Sequence, residues 1–88
     1  MYHLRRKHRQ RPHVVSDILK AVGFTMLSTR DHVCEGVRTD MSITVMLNNR
    51  NAVFSLITPH GCKTSTFNYS ELLDSSKCIQ VLKKECNL

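Results

Sequence analysis

The sequence predicts an α+β fold: an antiparallel meander of four or five strands, with one N-terminal and one C-terminal helix packed on one face. Three observations predict it. A central stretch, Ser42 to Thr58, has the pattern of a β-hairpin. A helical apolar stripe stands on each side of the β-rich region. The connections between the extended segments are short, which favours antiparallel neighbours over parallel crossovers.

The hairpin fixes its own register. Ile43, Val45 and Leu47 alternate with Ser42, Thr44 and Met46, the period of two that puts alternate residues on one face of a strand. Asn48, Asn49, Arg50 and Asn51 follow, a run of residues suited to a turn. With Leu47 opposite Ala52, Val45 faces Phe54 and Ile43 faces Leu56, and all six share one face. The other face then carries Thr44 opposite Ser55 and Met46 opposite Val53, with Ile57 beyond. A slip by one residue would set Val45 opposite Ser55 and mix the faces, so the pattern selects one register. The turn holds no Gly, and a tight type I′ turn would strain Arg50, so a loop of four residues is expected.

Before the hairpin, Val15, Ile18, Leu19 and Val22 fall at helical spacing. That helix is expected to begin at Pro12 or Ser16, since Pro suits a first helical turn and Ser16 or Asp17 favours an N-terminus. Gly23 suits the position just past the helix, and Phe24 then stands where a Schellman motif places an apolar contact back to Leu19. Phe24 to Ser28 reads as a first strand and His32 to Arg38 as a second, with turns at 29–31 and 39–40. Pro59-His60-Gly61 ends the second arm of the hairpin. Ser65 to Asn68 reads as a short edge strand or an extended segment. Asn68 with Glu71 makes a capping-box pattern, Ser70 being the alternative cap. One helix is expected from there to about Glu85, with Leu72, Ile79, Leu82 and Cys86 as its apolar stripe and Cys78 at the margin. Lys77, Lys83 and Lys84 suit its C-terminal half.

The chain has 88 residues and a net charge of +6. Its length predicts one domain, and a domain this small is only marginally stable alone. The charge is concentrated. Residues 1–13 hold Arg5, Arg6, Lys7, Arg9 and Arg11 and no acid, leaving eight basic residues against seven acidic ones in the rest. Few apolar side chains stand in this stretch, so residues 1–13 read as a flexible basic arm and residues 14–88 as a single small α+β domain. The alternatives for the arm are a solvated tail and a continuation of the first helix. No apolar run is long enough to span a membrane, and Asp17 and Lys20 interrupt any signal-peptide core. Four cysteines without a secretion signal predict reduced thiols in the cytoplasm.

The arm points to nucleic acid. Dense cations without acids neutralise phosphates and release their counterions. Arg5, Arg6, Lys7, Arg9 and Arg11 are the candidate contacts, positioning on the backbone rather than reading bases. The recognised modules do not fit. Phe54 belongs to the apolar face rather than to an exposed stacking platform. The last helix begins Glu71-Leu72-Leu73-Asp74, without the basic cluster of a double-stranded RNA domain. No two adjacent helices offer a helix-turn-helix.

Other chemistry is sparse. His32-Val33-Cys34 and His60-Gly61-Cys62 together make a Cys2His2 set of suitable donors for zinc, but not at finger spacing, and no metal or cofactor is expected. His3, His8 and His13 recur at a period that neither helix nor strand brings to one face. No Gly-rich phosphate loop and no nucleophile elbow is present. The expected function is therefore that of a small non-enzymatic regulatory or accessory protein contacting nucleic acid through its arm. The alternative is a protein-interaction module or homodimer without a nucleic-acid role, working through its sheet face or edge. The face would be Thr44, Met46, Val53, Ser55 and Ile57, part polar and part apolar.

Overall fold

A computed structural model describes the backbone of residues 2–86 and the side chains of residues 11–86. The chain runs α1 (Tyr2–Val22), β1 (Thr25–Thr29), β2 (Val33–Arg38), β3 (Met41–Leu47), β4 (Asn51–Thr58), β5 (Gly61–Asn68), α2 (Tyr69–Leu73) and α3 (Ser75–Glu85). The five strands form one sheet in sequence order, every neighbour antiparallel.

The hairpin has the register its alternation demands. Leu47 pairs with Ala52, Val45 with Phe54 and Ile43 with Leu56. All six are buried. The chain reverses through Asn48 to Asn51. The Asn48 N–H donates to the Asn51 carbonyl at 2.8 Å, and the Asn48 amide donates to the Asn51 side-chain oxygen at 3.0 Å.

The end of α1 follows from its sequence as well. Gly23 sits at φ +108, a conformation open to a residue without Cβ. Its N–H donates to Lys20 O at 3.0 Å, and the Phe24 N–H donates to Leu19 O at 2.9 Å. That is the Schellman pattern, with Leu19 and Phe24 both buried. A second constraint also selects Gly here. The Arg38 guanidinium donates to Val22 O at 3.1 Å, laying a cation on the negative end of the helix. A Cβ on residue 23 would stand 1.8 Å from that guanidinium.

Four expectations need correction. The first helix does not begin at Pro12 or Ser16: α1 starts at Tyr2, with Pro12 inside it. A proline inside a helix costs about 3 kcal/mol. Packing of the same turn offsets this: Pro12 is buried and its carbonyl accepts the Cys34 S–H at 3.7 Å. The last strand is not a short edge segment over 65–68, for β5 pairs with β4 along eight residues.

The C-terminal helix is not one helix. It breaks at Asp74, where φ is −92 and ψ 73. Asp74-Ser75-Ser76 is a run of residues whose short polar side chains compete for local bonds, and Ser76 donates its hydroxyl to the Asp74 carboxylate at 3.0 Å. The break re-phases the apolar stripe, which is the fourth correction. Cys78 is fully buried, together with Leu72, Leu82 and Cys86, while Ile79 is the marginal position. The capping box at the start of α2 is present, the Asn68 N–H donating to the Glu71 carboxylate at 2.9 Å.

The core lies between the sheet and the helices. Val15, Ile18, Leu19 and Val22 of α1 and Cys78, Leu82 and Cys86 at the end of the chain cover the face made by Cys34, Ile43, Val45, Phe54 and Leu56. Phe54 meets Phe67 edge to face, with ring centroids 5.3 Å apart. Burying a side chain of this size contributes up to about 3 kcal/mol.

Candidate functional site

Of the five candidate phosphate contacts, Arg5, Arg6, Lys7 and Arg9 stand on the first half of α1, and their side chains lie outside the described residues. Those of His3 and His8 do too. Arg11 is described, and it makes a tertiary contact. Its guanidinium lies over the Tyr69 ring, 3.9 Å from the centroid, a cation–π geometry. The Tyr69 hydroxyl donates to the Asn48 carbonyl. Arg11, Tyr69 and Asn48 thus tie α1 to the start of α2 and to the β3–β4 turn. Burial pushes the Tyr69 hydroxyl above its ordinary pKa, and the adjacent Arg11 charge opposes that rise. Sequence reasoning missed this contact, because neither partner lies on an apolar stripe.

Thr44, Met46, Val53, Ser55 and Ile57 share the sheet face turned away from the helices, as expected. Met46 is 54 % exposed and Ile57 49 %; Thr44, Val53 and Ser55 are half-buried. The register extends this face across the sheet. One row runs Val33, Met46, Val53, Thr66; the next Glu35, Thr44, Ser55, Thr64; the third Val37, Ser42, Ile57, Cys62. Two partly apolar rows therefore flank a polar one. Sequence reasoning missed Val33, Val37, Thr64 and Thr66, since only the hairpin's own alternation was strong enough to fix a register. It also missed Leu27, which is 63 % exposed at a β-bulge where β1 shifts register between Met26 and Ser28. A bulge leaves no signal in hydrophobic alternation.

The two His-x-Cys pairs are not brought together. Cys34 pairs with Val45 on the core face, where burial pushes its thiol up to about 11. Cys62 pairs with Ile57 on the opposite face, and is exposed. Among the described residues no group of three or more His, Cys, Asp and Glu side chains is placed to hold a metal. Cys78 and Cys86 are buried thiols, and burial pushes both above the ordinary thiol range. The Cys78 S–H donates to Glu71 O at 3.3 Å, across the break between α2 and α3.

Two open clefts lie among the described residues. One of about 240 Å³ lies between the two turns at one end of the sheet and Glu85. Another of about 300 Å³ lies between Ile18 of α1 and Leu73 and Ile79. No described helix is long and apolar enough to cross a membrane. Compared with known proteins, the chain matches no family model, and neither a curated protein nor a solved structure is significantly similar to it.

Proposed function

We propose that this is a small accessory or regulatory protein that contacts nucleic acid through the phosphate backbone, using the basic residues before His13. The observation that supports this is a charge distribution. Five cations and no acid occupy the first thirteen residues, and the rest of the chain is nearly neutral. They stand on a helix whose second half is anchored in the core by Val15, Ile18, Leu19 and Val22. Each phosphate neutralised releases counterions, so affinity follows from charge and falls steeply with salt. No base-reading geometry is implied. The reaction chemistry of an enzyme has no part in this reading, and a reducing cytoplasm is the compartment it favours.

The test is fluorescence anisotropy with labelled duplex DNA and single-stranded RNA across a salt series. Removing the chain before His13 would also remove the Arg11–Tyr69 contact, so the comparison variant keeps full length. It carries Gln in place of Arg5, Arg6, Lys7 and Arg9. The intact chain is expected to bind duplex DNA with a log–log salt slope of about −4, near 0.9 per phosphate contact, and the variant to lose most of that slope. Failure of both to bind at near-physiological salt contradicts the proposal.

A second reading is favoured by a different observation. Met46 and Ile57 stay exposed on a sheet face that no described element covers. In that reading the working surface is the open face, its partner is a protein, and the complex is salt-tolerant and unaffected by the four Gln substitutions.

A further inference from the structure

The two edges of the sheet are built differently. β1 has five residues, is bulged between Met26 and Ser28, and packs against α1. Those are devices that blunt an edge against pairing. β5 has eight residues, Gly61 to Asn68, in unbroken register with β4 and without a proline. Its one charged residue, Lys63, does not guard the edge, because its ammonium donates to Glu85 O at 3.2 Å, on the helix side.

The hydrogen-bond alternation shows what β5 offers. The Asn48 N–H to Asn51 O bond turns the Asn51 main chain toward β3. Along β4 the direction then alternates, so Ala52, Phe54, Leu56 and Thr58 bond toward β5. Their partners there are Phe67, Ser65, Lys63 and Gly61. Cys62, Thr64, Thr66 and Asn68 therefore turn their N–H and C=O groups outward. Asn68 confirms the phase, for its outward N–H is taken by the Glu71 carboxylate. Cys62, Thr64 and Thr66 are exposed, and their outward main-chain groups have no hydrogen-bond partner among the described residues.

We infer that β5 pairs antiparallel with β5 of a second copy of this chain, about a two-fold axis at Thr64. This stands apart from the nucleic-acid reading. A second copy fits this strand, because a register about Thr64 is self-complementary. With Thr64 opposite the partner's Thr64, Cys62 falls opposite the partner's Thr66. Every outward group of the three residues is then used, in about six main-chain hydrogen bonds, two for each facing pair. Lys63 falls opposite the partner's Ser65, so no like charges face each other. A register centred on Lys63 would set the two lysines opposite one another and use fewer of these groups. One centred on Thr66 would need the Asn68 N–H that Glu71 already holds.

The test is the mass of the full chain in solution by light scattering, over a range of micromolar concentrations. The expected mass is twice the 10.1 kDa of one chain. Thr64→Pro removes only an outward N–H, since Thr64 does not bond to β4, and proline is tolerated at such edge positions. It is expected to keep its circular dichroism and to run as a monomer. A second variant needs no disruption of the fold. In Thr66→Cys, the new thiol lies opposite the partner's Cys62 at a Cα separation of about 5.5 Å, within disulfide reach. With oxidised glutathione as electron acceptor it is expected to form a covalent dimer that adding Cys62→Ser abolishes. A monomeric intact chain overturns the inference. So does a folded Thr64→Pro variant that stays dimeric, or a Thr66→Cys variant that fails to cross-link.

Discussion

The two faces of the β3–β4 hairpin share one backbone and have opposite fates. Ile43, Val45, Leu47, Ala52, Phe54 and Leu56 are 8 % exposed or less. Ser42, Thr44, Met46, Val53, Ser55 and Ile57, interleaved with them, are half-buried or exposed. The difference lies in what each face meets. One face lies under α1 and α3, so every methylene there is removed from water and packed. The other meets no described element, and its side chains are covered only by their cross-strand neighbours. In a small domain, function is best sought at side chains and main-chain groups that the fold does not use. Here these are the open face, the outward groups of β5 and the basic start of α1.

The contrast is broken most sharply by Phe54→Ala. Phe54 is 1 % exposed and meets Phe67 edge to face. Truncation removes both the burial and the ring contact, and is expected to cost about 4 kcal/mol. In a domain of this size that is a large part of the total stability, so a chemical-denaturation curve should show the folded baseline nearly lost. Ile57→Ser, three positions along the same strand and on the other face, marks the opposite end of the scale. Ile57 is half exposed, and the same curve should move by only about 1 kcal/mol, from half the burial of a full core side chain and the lost strand preference. A large loss at Ile57 would mean that the open face is covered after all.

Much of this was legible in the sequence, for a physical reason. The hairpin register could be read because one face is apolar at every position and the other is not, so a slip of one residue is costly. The Schellman turn could be read because Gly23 and Phe24 stand at the two positions that the motif needs. The parts that escaped reading depend on contacts remote in sequence. Proline is allowed inside α1 because that turn packs on the sheet, with the Pro12 carbonyl accepting Cys34 and Arg11 stacked on Tyr69. The interruption at Asp74 buried Cys78 in place of Ile79. β5 was legible only over its last four residues, because Gly61 to Thr64 are all exposed and carry no apolar alternation. The alternation of the hairpin is enough to put Thr44, Met46, Val53, Ser55 and Ile57 on the face opposite the core, and the register sets them there. Charge alone marks Arg11 as one more cation of the basic run and carries no sign of its contact with Tyr69.

The four cysteines give the most direct test that the helices cover one face and leave the other open. Cys34, Cys78 and Cys86 are buried on the helix side, and Cys62 is exposed. A short pulse of iodoacetamide on the native chain, followed by digestion and mass spectrometry, reads all four at once. One fast modification is expected, at Cys62, with the other three protected until denaturant is added. Labelling of Cys34 as fast as Cys62 would contradict it, for the core face of β2 would then be open to solvent.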